Sequence, residues 1–307
     1  MMAYSPVVVF AYNRPEHLRR TLSALAANEL AAQSELIIYC DGPKPQSDLP
    51  AIEDVREIAR TASGFATITV YEREANLGLA GNILAGVNET FEKYPRIIVL
   101  EDDLITSPFF LRFMNDALDC YADVPEVGNI HGWCFPSRKT LPDTFFLPGG
   151  GCWGWATWRN SWECLEWDPQ GLHEELNRRK LLNRFNRGGN YDFSTLLLDM
   201  GNWAARRYAS MMCLGQLTLT PGRSLIEHEG DDGSGTNCGI YDTSTIMTER
   251  PITVVKQPLQ VDPHIEKLWD KYFGTVTGNC LLRNRIKSFL PGPVRQFLRA
   301  IKKRITR

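Results

Sequence analysis

No stretch of the 307-residue chain approaches the ~20 consecutive apolar residues that span a bilayer. The N-terminus has no charged n-region, and Val7 to Ala11 is too short for a signal-peptide core. Both absences lead to the expectation of a cytoplasmic protein. No two of the eight cysteines (40, 120, 134, 152, 164, 213, 238 and 280) stand at CxxC spacing. Neither a zinc site nor a disulfide framework is therefore indicated, and buried free thiols are expected. Acids are missing from residues 280–307, which hold nine Lys/Arg: Arg283, Arg285, Lys287, Arg295, Arg299, Lys302, Lys303, Arg304 and Arg307. The other 279 residues carry 25 bases against 36 acids, a net charge of −11 that the whole-chain value of −2 conceals. At 43% hydrophobic and 23% charged residues, the composition is that of a globular chain with a large core.

What is present centres on Arg96 to Asp103, RIIVLEDD. Ile97, Ile98, Val99 and Leu100 read as a strand buried on both faces of a sheet. The run ends in Glu101, Asp102 and Asp103. Three adjacent acids repel one another, and a divalent cation with hard oxygen ligands offsets that repulsion. In an open α/β sheet, ligands sit at the carboxyl ends of the strands, where this cluster falls. A solvated loop start is the plain alternative.

Val7 to Phe10 forms the first strand, followed by Asn13-Arg14-Pro15-Glu16. Asn13 suits a cap, Pro15 the first helical position, and Glu16 the first turn. Leu18, Leu22 and Leu25 then recur at helical spacing. Leu36 to Cys40 is the second strand, and it ends in Asp41-Gly42-Pro43. Asp41 there either meets a base or ribose or closes a turn. A helix marked by Ile52, Val55, Ile58 and Ala59 precedes a third strand, Ala66 to Tyr71. Asn76 to Asn82, NLGLAGN, leads into a helix with Ile83, Val87 and Phe91 on one face. Its glycines admit a close ligand, but it lacks the GxGxxG dinucleotide fingerprint. Ser107-Pro108 opens a helix with Phe109, Phe110, Phe113 and Tyr121 on its apolar side. Strand and helix thus alternate four times in about 125 residues, the pattern of a parallel doubly wound sheet.

The second half differs. Val127 to His131, Thr144 to Leu147 and Leu217 to Thr220 read as strands. Gly149 to Trp167 holds Trp153, Trp155, Trp158, Trp162 and Trp167, with 155, 158 and 162 at the spacing of one helical face. These rings either fill a core or offer faces to sugar C–H bonds. Residues 172–186 read as a solvated basic helix, and Asp192 to Leu214 as a helix carrying Asp199, Trp203 and Arg206. Ile226 to Asn237 is rich in Gly and acids and reads as a mobile loop, whose His228 is either a metal ligand or solvated. The tail interleaves Leu281, Leu282, Ile286, Phe289, Leu290, Phe297, Leu298 and Ile301 with its bases. That pattern suits an anionic membrane surface; nothing suggests nucleic-acid readout.

VVVFAYNRPEHLRRTLSAL, YCDG, NLGLAGN, IVLEDDLITSPFFLRF, PGGGCWGWATW and SLIEHEGDDGSGTN, spread over residues 7 to 240, together resemble a GT-A glycosyltransferase. The likeness is to bacterial transferases related to the animal N-acetylglucosaminyltransferases that add to mannose. It implies a Rossmann-like, mostly parallel sheet with helices on both faces, followed by a mixed α/β acceptor region. Residues 1–125 would form the nucleotide-sugar half, 126–275 the acceptor half of the same domain, and 276–307 the basic tail.

The resemblance further implies inverting transfer from a nucleotide-sugar, a UDP-sugar, with Mn²⁺ or Mg²⁺, onto a glycan or lipid-linked acceptor in surface-polysaccharide assembly. Ala11, Tyr12, Asn13 and Arg14 would line the nucleotide pocket. Asp41 would meet the base, and Asn76 and Gly78 the diphosphate or ribose. Asp102 would face ribose or metal, and Asp103 would bind the metal. Trp153, Trp155 and Trp203 would contact acceptor or sugar. Two departures stand out. The family's base is an acid just ahead of a Trp, but Gly201-Asn202 precede Trp203 here, leaving Asp199 and Asp192 as candidates. The family's GSGTH is here GSGTN, leaving His228 as the histidine for a metal. A sugar-phosphate nucleotidyltransferase and a non-catalytic nucleotide-sugar-binding relative are the alternatives. The first wants an N-terminal Gly-rich loop, and Val7 to Pro15 has no glycine.

Overall fold

A computed structural model describes residues 4–45, 48–199, 202–230 and 245–275. The basic tail (276–307) and the GSGTN segment lie outside the described residues. The elements run β1 (Val7–Ala11), α1 (Pro15–Ala26), β2 (Glu35–Cys40), α2 (Leu49–Arg60), β3 (Thr67–Glu72), α3 (Gly78–Phe91) and β4 (Arg96–Glu101). Then follow β5 (Leu104–Thr106), α4 (Phe110–Cys120), β6 (Val127–His131), β7 (Thr144–Pro148), β8 (Trp155–Trp158) and α5 (Arg159–Glu163). The last are α6 (Pro169–Arg178), α7 (Leu182–Phe185), α8 (Phe193–Leu198), α9 (Trp203–Leu214), β9 (Leu217–Pro221) and β10 (Ile226–His228). A helical segment covers 263–275.

Eight strands make one sheet in the order β3-β2-β1-β4-β8-β6-β9-β7. The first four are parallel, β8 runs antiparallel between β4 and β6, and β7 runs antiparallel to β9. Alternation along the strands assigns side chains to two faces. Val7, Val9, Ile98 and Leu100 pack with α1, α2 and α4 through residues such as Leu18, Val55 and Phe113. Val8, Phe10, Ile97 and Val99 pack with Ile83 and Val87 of α3, together with Trp155, Trp162 and Trp203. A third cluster joins α6 to α9 through Leu176, Phe185, Leu197 and Tyr208. Helices on both faces of a mostly parallel sheet are what the alternating first half predicts.

Local chemistry sets the helix ends. Pro15 occupies the first position of α1, but Arg14, not Asn13, stands at the cap and gives no side-chain capping hydrogen bond. Asp48, Asp168, Asp192 and Asn202 each accept a backbone N–H in the first turn of α2, α6, α8 and α9. Gly215, with φ +72°, closes α9.

Five expectations need correction. Trp155 and Trp158 lie on strand β8, not on a helix with Trp162. The 172–186 helix is broken between α6 and α7, and the helix expected from Asp192 is broken between α8 and α9. His228 ends strand β10, which pairs with β5 rather than lying in a loop. Cys164 is exposed, though Cys40, Cys134 and Cys213 are buried thiols as expected. Among the described residues no helix is long and apolar enough to cross a membrane.

Candidate functional site

The carboxyl ends of β1, β2 and β4 open onto a cavity of about 970 Å³. From the end of β1 and the residues after it come Ala11, Tyr12, Asn13 and Arg14; from just after β2, Asp41; from the end of β4 and just after it, Glu101, Asp102 and Asp103. Asn76 and Gly78 line it from the start of α3, Trp153 from ahead of β8, Trp203 from α9 and His228 from β10. Every expected nucleotide and metal residue therefore shares one cavity.

Asp41 is buried and its acceptors are used within the protein. Its Oδ1 accepts the backbone N–H of Gly42 at 2.9 Å and of Leu77 at 2.8 Å, and its Oδ2 accepts from Asn76 Nδ2 at 3.0 Å. Asn76 in turn donates to the Gly42 carbonyl at 2.8 Å and accepts from the Gly78 N–H at 3.1 Å. The strand-end acid thus holds the Asn76–Gly78 loop against the cavity.

The acidic cluster sits on one cation of the chain. The Arg14 guanidinium donates to Asp102 Oδ1 and lies 2.8 Å from Asp103 Oδ2. The two carboxylates hold the Arg14 pKa above its usual value despite burial. Removal from water pushes Asp102 up to about 6, against the lowering by Arg14. Glu101 is pushed up to about 8 by removal from water and by Asp103 and Asp102. Adjacent like charges drive one another toward the neutral form until a cation supplies compensation.

His228 completes the cluster through register. Pairing of β10 with β5 places His228 opposite Leu104, the residue after Asp103. Its Nε2 is 3.7 Å from Asp103 Oδ2, and the Glu229 N–H donates to the Asp103 carbonyl at 2.9 Å. Trp153 stacks on the imidazole at 4.4 Å and 11°. A Cβ on Gly230 would come within 2.3 Å of Asp103 Oδ2 and 2.7 Å of His228 Nε2. A methyl is thus excluded from the space between a hard carboxylate oxygen and an imidazole nitrogen, a donor pair that suits Mn²⁺. Among the described residues no group of three or more His, Cys, Asp or Glu encloses an ion. Such partial protein ligation fits a cation completed by substrate phosphates. The residues present therefore fit the expected metal, which Asp103 and His228 would hold.

Three predicted residues fall elsewhere. Trp155 is 1% exposed, stacks on Trp162 at 5.8 Å and carries the Arg207 guanidinium 3.8 Å above its ring. It is core, not a sugar contact. Asp192 caps α8, bonded to Thr195 N and Oγ1, and both it and Asp199 are exposed and outside the cavity lining. Neither is placed to take a proton from an acceptor there. Residues not among the named site candidates also line the cavity: Glu101, His131, Trp133, Arg187 and, from segment 263–275, Trp269, Tyr272 and Phe273. Only Glu101 carried a signal, as the first acid of the strand-end run.

A mostly parallel sheet with a nucleotide-sized cavity and an acidic, histidine-bearing cluster at its carboxyl edge defines the GT-A class of fold. Residues 5–164, more than half of the chain, match the family model Glycosyltransferase like family 2. The chain belongs to that family. It is similar to solved structures of S. aureus TarS, at 18% identity over 48% of this chain and 25% of that one, with a TM-score of 0.31. TarS 1–349 in complex with UDP is matched at 16% identity over 46% of this chain and 38% of that one, TM-score 0.31. Mannosyltransferase PcManGT from Pyrobaculum calidifontis, in complex with GDP-Man and Mn²⁺, is matched at 17% identity over 41% and 35%, TM-score 0.31. The chain thus spans well under half of the length of each. No curated protein matches it.

Proposed function

We propose that the chain transfers a sugar, with inversion, from a nucleotide-sugar of the UDP class to a glycan or lipid-linked acceptor. Family membership supports glycosyl transfer, and one observation carries the site: register brings His228 Nε2 to Asp103 Oδ2 at the edge of the cavity that Ala11 to Arg14, Asp41 and Asn76 line. Residues 1–125 supply the donor side and 126–275 the acceptor side.

Asp103 and His228 would hold Mn²⁺ or Mg²⁺. Bound there, the cation would act as a Lewis acid on the charge of the diphosphate leaving group. Arg14 adds a fixed positive charge beside the same carboxylates. The Asp41–Asn76 network presents the backbone of Leu77 and Gly78 to the donor, its hydrogen bonds already made before binding. Trp153, braced on His228, and Trp203 give apolar faces for sugar. The basic, apolar-interleaved tail would hold the enzyme at the inner face of the cytoplasmic membrane, near a lipid-linked acceptor of polysaccharide assembly.

A non-catalytic nucleotide-sugar-binding relative is favoured by one observation, that neither Asp192 nor Asp199 lines the cavity. Calorimetric titration with UDP, GDP, CDP and dTDP, each with and without Mn²⁺, tests the first reading. One nucleotide should bind only with Mn²⁺, and Asp103→Asn should abolish that binding. Metal-independent binding of all four, or none, would refute the metal assignment. Turnover of the matching nucleotide-sugar separates the enzyme from the non-catalytic relative.

A further inference from the structure

We propose that Arg187 and the aromatic side chains around it form a subsite for an anionic group, a phosphate or a carboxylate, carried by the acceptor sugar. The proposal rests on the glycosyl-transfer reading above and names the substrate class of the same cavity.

Arg187 is 4% exposed and lines the cavity. Its guanidinium carbon lies 4.9 Å from the Tyr208 ring centre, 5.5 Å from Trp269 and 5.6 Å from Phe273. Rings on several sides leave the planar group a restricted set of edges for hydrogen bonding. Its Nε and Nη1 are buried without a hydrogen-bond partner. Asp270 Oδ1 forms an ion pair with Nη1 at 3.7 Å, beyond hydrogen-bond distance, and Asp270 does not line the cavity.

Arg187 is not alone. Trp133 Nε1, Trp269 Nε1 and Tyr208 Oη are also buried without partners, and all three side chains line the cavity. Trp133 and Trp269 touch, with ring centres 5.6 Å apart. Buried polar groups in folded proteins are satisfied in about nine cases of ten, so several orphaned donors in one place call for a missing acceptor. Guanidinium and indole groups donate only. A neutral sugar hydroxyl brings a proton of its own, which among these groups only Tyr208 Oη can accept. A phosphate or carboxylate brings acceptors alone and matches the charge, and the planar fork of arginine suits both. A cationic ligand is excluded, because the guanidinium already fills the aromatic cage.

The backbone agrees. Arg187 has φ +52°, in the left-handed region that costs a non-glycine residue free energy, and Gly188 and Gly189 continue it at +63° and +87°. Asn190 Nδ2 donates to the Arg187 carbonyl at 2.8 Å and fixes this turn. The turn directs a long basic side chain inward, beneath segment 263–275. Rings also link it to the candidate metal site: Trp153, stacked on His228, meets Trp133 edge-on at 4.8 Å, and Trp133 meets Trp269. An acceptor bound along this aromatic wall would place its anion at Arg187 and its hydroxyl toward the donor.

The test is tryptophan-fluorescence titration of the full chain with glucose 6-phosphate, glucuronate and glucose. At least one anionic sugar should bind tenfold or more tightly than glucose, as expected for charge-assisted hydrogen bonds. The stronger of the two identifies the anion. Arg187→Met should remove the preference, and Arg187→Lys, which keeps charge but not the fork, should retain part of it. Asp103→Asn should leave the preference intact while abolishing Mn²⁺-dependent nucleotide binding. Equal affinity of the wild type for all three sugars, or an undiminished preference in Arg187→Met, would overturn the subsite. So would loss of the preference in Asp103→Asn, which would place the anion at the metal site. A wild type that keeps the preference but binds no nucleotide would support the subsite and refute the transfer reading.

Discussion

Replacing Asp41 by asparagine separates a carboxylate that holds a loop from one that merely lines a pocket. The native Oδ1 accepts two backbone N–H groups, from Gly42 and Leu77, and Oδ2 accepts Asn76 Nδ2. Asparagine can keep the two backbone bonds through its carbonyl. Its amide then faces Asn76 Nδ2, donor against donor. Asn76 cannot turn over to relieve this, because its Nδ2 also holds the Gly42 carbonyl and its Oδ1 the Gly78 N–H. One charge-assisted bond is lost and one buried donor is left without an acceptor, at a cost of roughly 1.5 to 3 kcal/mol. At about 2 °C per kcal/mol for a chain of this size, the thermal midpoint should fall by roughly 3 to 6 °C. Circular dichroism melts of Asp41→Asn, Asn76→Ala and the double variant provide the assay. The double variant should be less destabilised than the two single losses combined, since they share one network. A midpoint unchanged in Asp41→Asn, or strict additivity in the double variant, would refute the account of this loop.

The pH dependence of stability should show the buried imidazole of His131. Burial, and then the charge of Arg207, lower its pKa from 6.5 to about 3. A depressed folded-state pKa gives stability that is full above pH 6.5 and lost as pH falls toward 3, because the unfolded chain takes up the proton first. Urea midpoints at pH 7.5 and 5 should therefore differ more for the wild type than for His131→Gln; equal differences would contradict the burial argument. Gly230→Ala puts a Cβ 2.3 Å from Asp103 Oδ2. It should abolish the Mn²⁺-dependent binding of nucleotide, which calorimetry reads directly.

Legibility in the sequence followed the range of the interactions. Local periodicity located β1, β2 and β4, and the strands near 127, 144 and 217, within a residue or two of their observed limits. Strand-end residues carried most of the candidate site, since a buried apolar run followed by Asp41 or by Glu101 to Asp103 shows both the strand and its edge. Trp155 and Trp158 misled because their spacing, with Trp162, copies the helical repeat, whereas pairing of β8 with Arg96 to Val99 and with β6 makes them a strand. β10 is three residues long and exists only through β5, far away in the chain. Arg187 follows a polar, basic stretch, and its partners Trp269 and Phe273 lie some eighty residues on. Neither composition nor period encodes such a meeting.

The place of β8 has a consequence for how the protein is made. Strands emerge from the ribosome in chain order. β1 to β4 can pair as soon as they appear, but β4 then shows an open edge whose proper neighbour is β8, not the next strands to be synthesised. Until Trp155 to Trp158 arrive, Ile97 to Leu100 present an apolar strand edge of the kind that recruits other chains. β8 closes that edge and, in the same step, joins β4 to β6. A nascent chain halted before Trp155 is thus the aggregation-prone species. Chaperone demand during translation should peak over that interval and drop once the tryptophan strand is in place.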